Sequence, residues 1–72
     1  MSMYRLRDIR EDHNFNQTQV AQVLHISQTT YSRYESGVLD IPSAALITLA
    51  SFYGTSVDYL LGRTDNPIPY ST

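Results

Sequence analysis

Asn16-Gln17-Thr18-Gln19-Val20-Ala21-Gln22-Val23-Leu24-His25-Ile26-Ser27-Gln28-Thr29-Thr30-Tyr31-Ser32-Arg33-Tyr34-Glu35-Ser36-Gly37 decides how this chain folds. It contains two short helical patterns separated only by His25-Ile26-Ser27. Asn16 is a good N-cap, and Gln19 three residues later completes the pattern of a capping box. Val20, Ala21 and Leu24 follow at spacings that share one helix face. Ser27 is a second N-cap, and the helix it opens carries Tyr31 and Tyr34 inward before Gly37 ends it. With so short a link the two helices cannot lie antiparallel at full contact, so they meet at a steep angle. Ala21 suits that crossing because a small side chain lets the helices approach, and Ile26 plugs the gap between them.

On the N-terminal side, a helix is expected from about Met3 to His13. Met3, Leu6 and Ile9 lie three apart on one face, with Arg5, Asp8, Glu11 and Asp12 elsewhere. Asn14-Phe15 links it to the second helix, Gln17 to Leu24. On the C-terminal side, Val38 to Pro42 reads as a loop. Pro42 pre-sets the backbone for a helix from about Ser43 to Tyr53. Leu46, Leu49, Ala50 and Tyr53 form its buried stripe. Ser56 caps a short fifth helix whose Val57, Leu60 and Leu61 complete the core. Gly37, Gly54 and Gly62 each close a helical segment. No run alternates long enough to read as a strand. The last ten residues contain Pro67 and Pro69 and are expected to be extended or frayed. The expected organisation is one all-helical domain over 1–62 with a tail over 63–72.

Composition bounds the function. Seventy-two residues make a single small domain with a thin core. With 42% apolar and 17% charged residues the chain is globular. The absence of cysteine removes disulfides and thiolate metal sites. All five basic residues are arginines, and seven acids bring the net charge to −2. Residues 1–37 balance to zero, and the excess acid lies beyond them. Ala44-Ala45-Leu46-Ile47 is broken by Thr48, so no membrane span is expected. No apolar signal region follows the charges of Met-Ser-Met-Tyr-Arg-Leu-Arg, which makes the cytoplasm the expected compartment.

The stretch quoted above resembles the helix-turn-helix of the phage repressor and Cro-type (XRE-like) family of bacterial regulators. The likeness extends to Ile41-Pro42-Ser43, Leu46-Ile47-Thr48-Leu49-Ala50 and Ser56-Val57-Asp58-Tyr59-Leu60-Leu61-Gly62, covering about residues 4–66. It implies an all-α, compact five-helix, lambda-repressor-like DNA-binding domain with its helix-turn-helix at about 17–36. Two positions depart from the family pattern. His25 stands where the turn usually has glycine, and histidine reaches the left-handed region more readily than most residues. Tyr31 replaces a branched aliphatic residue on the inner face of the third helix.

The resemblance also implies roles. Gln28, Thr29, Ser32 and Arg33 correspond to base-contacting positions of a helix that enters the major groove. Gln28 suits adenine, Arg33 suits guanine, and Thr29 can meet a thymine methyl. Asn16, Gln17 and Thr18 stand at the start of the second helix, where exposed N–H groups attract phosphate. Arg10 and Glu35 match a family pair tying the first helix to the end of the third, and Arg10 is also a phosphate candidate. Without the surrounding motif, the four third-helix residues would read as a solvated face. Glu11-Asp12-His13 is a solvated helix end, since adjacent helical residues point in different directions. His13 and His25 lie far apart with no cysteine, so no metal is expected. At helical spacing Tyr31, Tyr34 and Tyr53 read as core, and Arg5 and Arg7 as surface charges.

No cysteine nucleophile, glycine-rich phosphate loop or Ser/His/acid arrangement is present, so the chain reads as non-enzymatic, with no cofactor or small-molecule substrate. The expected function is sequence-specific binding of double-stranded DNA by a dimeric regulator, as repressor, on a near-palindromic operator. Tyr59, Leu61, Ile68 and Tyr70 exceed what so small a core needs and are assigned to the dimer surface. The alternative is a protein-interaction module on the same fold, antitoxin-like or regulator-binding. The acidic balance and lack of lysine favour it, because a domain that neutralises many phosphates is normally basic.

Overall fold

Five helices fall in the order α1 Leu6–Asp12, α2 Gln17–Val23, α3 Gln28–Ser36, α4 Ser43–Tyr53 and α5 Val57–Leu60. This computed structural model describes residues 4–68. No strand occurs among them, and no helix is long and apolar enough to cross a membrane.

Each helix boundary has a local cause. α2 opens with a complete capping box, Asn16 Oδ1 accepting from Gln19 N and Gln19 Oε1 accepting from Asn16 N, both at 2.8 Å. Ser27 Oγ accepts from Thr30 N at 3.1 Å to start α3, and Ser56 Oγ accepts from Tyr59 N at 3.0 Å to start α5. α4 starts at Pro42, which has no side-chain cap bond. Gly37 (φ 82°) ends α3 and Gly54 (φ 69°) ends α4, both in the left-handed region.

The first helix is shorter than its apolar spacing predicts. It begins at Leu6, not Met3, and Met3 lies outside the described residues. Arg5 occupies the cap position with no side-chain cap bond, and its backbone N donates to Leu60 O at 2.8 Å. Docking onto the end of α5 thus sets where α1 starts. Arg5 is also more than a surface charge. Its Nε donates to Tyr59 O at 3.0 Å, its Nη2 to Thr64 O and Asp65, and its guanidinium lies 4.6 Å from the Tyr59 ring centre.

The core takes residues from every helix: Leu6 and Ile9, Val20 and Ala21, Tyr31 and Tyr34, Leu46, Leu49, Ala50 and Tyr53, and Leu60, with Ile41 from the loop. Leu6, Val20, Tyr31, Leu49 and Leu60 are fully buried. Residues 63–68 return over the domain through Arg5 and through Thr55 Oγ1, which donates to Pro67 O.

Candidate nucleic-acid interface

The turn between α2 and α3 places the two helices against each other. Leu24 caps α2, His25 adopts φ 58°, and Ile26 N returns to Ala21 O at 3.0 Å. Left-handed backbone at a residue with a side chain costs about 1 kcal/mol, and the turn pays it at His25. Ala21 is buried at the crossing and Ile26 is half-buried beside the core. Tyr31 and Tyr34 anchor the inner face of α3, which turns Gln28, Thr29 and Arg33 to solvent. Ser32 is half-buried on the same helix.

A continuous set of hydrogen bonds backs this face. Arg10 Nε donates to Glu35 Oε2 at 2.6 Å and Arg10 Nη2 to Glu35 Oε1 at 3.2 Å. Arg10 Nη1 donates to Phe15 O at 2.9 Å, so α1 is fixed both to α3 and to the start of α2. Gln17 Nε2 donates to Glu35 Oε1 at 3.1 Å, and Gln17 Oε1 accepts from Gln28 Nε2 at 2.5 Å. The Arg10 and Glu35 side chains are only 11% and 5% exposed, which makes this a largely desolvated ion pair.

Electrostatics follow from that burial. Desolvation pushes the Glu35 carboxyl toward its neutral form, but hydrogen bonds from Arg10 and Gln17 outweigh it and hold its pKa below the usual glutamate value. The Glu35 bond in turn raises Arg10, against the opposing effect of burial. Tyr31 and Tyr53 have buried hydroxyls without a hydrogen-bond partner among the described residues. Tyr31 interacts electrostatically with the Glu35 carboxylate. Burial, reinforced by that carboxylate, pushes Tyr31 far above the ordinary tyrosine range and Tyr53 up to about 12.

Glu35 also fixes the polarity of the amides. A carboxylate only accepts, so Gln17 must turn its NH2 toward it and offer its carbonyl to Gln28. That carbonyl in turn requires the Gln28 NH2. Gln28 is left with one free N–H and its own carbonyl, a donor and an acceptor side by side. This pattern matches the N7 acceptor and N6 donor of adenine in the major groove, whereas guanine presents two acceptors there.

The remaining candidate residues are distributed as follows. Asn16 and Thr18 are exposed at the start of α2, with the Asn16 side chain engaged in its cap. Tyr59 and Leu61 are half-buried, Tyr59 beneath Arg5, while Ile68 is 68% exposed. Tyr70 lies outside the described residues. Three features escape the sequence reading. Gln17 joins Glu35 to Gln28, although it lies 18 positions from the first and 11 from the second. Val38 (78% exposed), Ile47 (62%) and Phe52 (42%) are large apolar residues at the surface. A helical wheel could have found Ile47, which lies off the Leu46, Leu49, Ala50 and Tyr53 stripe. A notch of about 290 Å³ opens between α1, the start of α2 and α3, lined by Arg7, Arg10, Gln17, Ser32, Glu35 and Ser36. No group of three or more His, Cys, Asp or Glu among the described residues could hold a metal ion.

Residues 6–60 match the helix-turn-helix family. The chain is 39% identical over 69 residues to the uncharacterized HTH-type transcriptional regulator YobD of Bacillus subtilis, covering 96% of this chain and 62% of that protein. It is 38% identical over 63 residues to the HTH-type transcriptional regulator AnsR of the same organism, covering 88% of this chain and 54% of that protein. It is 30% identical over 64 residues to the cryptic phage CTXphi transcriptional repressor RstR of Vibrio cholerae, with 89% and 58% covered. The chain thus spans roughly half to three-fifths of the length of these relatives. No solved structure matches it. The matched relatives are named as transcriptional regulators, and RstR as a phage repressor. Five helices, a capped and tightly turned α2–α3 pair and a match across nearly all of them place this chain in the XRE-like helix-turn-helix family.

Proposed function

We propose that the domain binds double-stranded DNA sequence-specifically as a transcriptional regulator, with α3 in the major groove. The observation that carries this reading is the exposed row on α3, where Gln28 is oriented by Gln17 and Glu35 while Arg33 stands free for a base. Gln28 reads adenine, Arg33 reads guanine, Thr29 meets a thymine methyl, and Ser32 lies beside them. Asn16, Gln17, Thr18 and Arg10 meet the backbone, where contacts set register and carry no sequence information. A single domain reads few base pairs, so the functional unit is a dimer acting as a repressor on half-sites about 34 Å apart. Ile68, with Tyr59, Leu61 and Tyr70, contributes to the self-association surface.

Selection of bound sequences from random duplex DNA tests this reading, run on wild type, Arg33→Ala and Gln28→Ala. The expected product is an inverted repeat in which each variant relaxes one base pair, at a cost of about 1–3 kcal/mol for the correct base. With few cations available, the salt dependence should be shallow, and a slope on the order of −8 or steeper would contradict this account.

A second reading, a protein-interaction module, is favoured by the net charge of −2 and by exposed Val38, Ile47 and Phe52. Folded protein that enriches no DNA sequence would make it the leading one.

A further inference from the structure

Two hydroxyls in the core, those of Tyr31 and Tyr53, are buried with no hydrogen-bond partner among the described residues, and the reading above gives them no role. A buried hydroxyl in that position has lost its bonds to water and gained none in return. For Tyr31 an acceptor lies on its own helix. Glu35 follows it by four positions on α3, so the two share one face. Helical side chains lean toward the N-terminus, which tips Glu35 back over the turn that holds Tyr31. Tyr31 is fully buried and the Glu35 side chain nearly so, which keeps bulk water from competing.

The carboxylate has room for one more donor. Its Oε1 accepts from Arg10 Nη2 at 3.2 Å and from Gln17 Nε2 at 3.1 Å, while Oε2 accepts only from Arg10 Nε at 2.6 Å. Two carboxylate oxygens offer about four acceptor positions, so one stays open at Oε2. We infer that Tyr31 is a positioning residue for base reading, its hydroxyl turning onto Glu35 Oε2 to fix the carboxylate that orients Gln17 and, through it, Gln28; the inference rests on the DNA-binding reading of α3. Arg10 and Gln17 reach Glu35 from other helices. Tyr31 is the donor that belongs to α3 itself, so it sets the rotation of the carboxylate relative to the helix that reads. A branched aliphatic residue, the type that the family resemblance leads one to expect at this position, has no hydroxyl and could not do this. Electrostatics agree: against burial, Arg10 and then Tyr31 hold the Glu35 carboxyl low, while burial and then Glu35 push Tyr31 up. Tyr53, on α4, is raised by burial first and feels Glu35 only through space.

The test compares Tyr31→Phe with Tyr53→Phe, each of which removes one buried hydroxyl and keeps the ring. In urea unfolding, Tyr31→Phe should raise the unfolding equilibrium constant about 10- to 100-fold, as for loss of a bond to a charged group. Against the operator selected above and its single-base variants, Tyr31→Phe should cut discrimination about 3- to 10-fold at the Gln28 base pair and leave the Arg33 pair unchanged. In a Gln28→Ala background it should alter no preference further. Tyr53→Phe should keep the wild-type preferences. An unfolding constant at or below that of wild type in Tyr31→Phe would overturn the bond, since removing an unpartnered hydroxyl relieves the fold. Intact discrimination at the Gln28 pair would overturn the positioning role. Preferences relaxed at every pair, or equally by Tyr53→Phe, would mean a loosened core and overturn it too. Failure of wild type to select any duplex would instead remove the DNA reading, and this role with it, before any variant is compared.

Discussion

α3 and α4 share apolar burial, through Tyr31 and Tyr34 in one and Leu46 and Leu49 in the other, but only α3 adds side-chain bonds to neighbouring helices among the described residues. α3 starts at a serine cap and is tied to α1 and α2 by the Arg10, Glu35 and Gln17 bonds. α4 has no charged residue, starts at Pro42 without a side-chain cap bond, and is held by burial of Leu46, Leu49, Ala50 and Tyr53. Apolar burial is non-directional and supplies most of the stability. Hydrogen bonds contribute less net energy, but they specify orientation. The helix that must present particular atoms is pinned by directional bonds, and the helix that must only be present is packed.

Substitutions can break this contrast, starting with the largest effect. Leu49→Ala removes a fully buried side chain and should cost about 2–5 kcal/mol in denaturant unfolding. Among molecules still folded, base preference should be unchanged; a relaxed preference would show that packing sets orientation too. Glu35→Ala strands the mostly buried Arg10 guanidinium. Loss of one partner of a buried pair costs about 3–5 kcal/mol, and water entering from the neighbouring notch should hold this case nearer 2–3. It should also relax discrimination at the base pair read by Gln28, because Gln17 loses the acceptor that sets its polarity. Destabilisation with discrimination intact would reduce Glu35 to a brace.

Titration sharpens the same contrast. The Glu35 pKa is lower in the folded state, so its contribution is present above the unfolded glutamate value, about 4.3, and fades as pH falls through the folded one. Tyr53 and Tyr31 behave oppositely, because their folded values are raised. Their contribution is present below about pH 10 and fades as pH rises through the folded values. Of the six tyrosines, tyrosinate absorbance should show Tyr53 ionising near 12 and Tyr31 later or only on unfolding. A single transition at the ordinary value for all six would place these hydroxyls in water.

The smallest effect lies in the turn. His25→Gly removes the cost of φ 58° and should stabilise the fold by about 0.5–1 kcal/mol, offset in part by the greater freedom of glycine in the unfolded chain. Lowered thermal stability would mean that the imidazole makes contacts worth more than the strain.

Legibility in the sequence divides along the same line. Asn16, Ser27 and Ser56 as caps, with Gly37 and Gly54 as stops, locate α2 to α5 because those signals act within one turn of the chain. The buried stripe of α4 is legible for the same reason. The start of α1 is not, because it depends on Arg5 N meeting Leu60 O, 55 residues away in the chain. Gln17 illustrates the limit at the site. Its residue type and position suggest a phosphate contact, and only the folded arrangement brings Glu35 and Gln28 to opposite ends of its amide. Arg7 and Arg10 are both arginines on one short helix, and only the fold separates them: Arg10 meets Glu35 of α3 in a buried pair, whereas Arg7 meets Glu11 of its own helix in an exposed one.

The bonds of Arg5 to Leu60, Thr64 and Asp65 carry a consequence for engineering. They bring the first and last parts of the described chain side by side, so a few glycines and serines would suffice to splice the two together. New termini could then be opened at Val38-Leu39-Asp40, an exposed loop directly after α3. Such a permuted protein would keep all five helices while freeing the end of α3 for fusion to a second reading module.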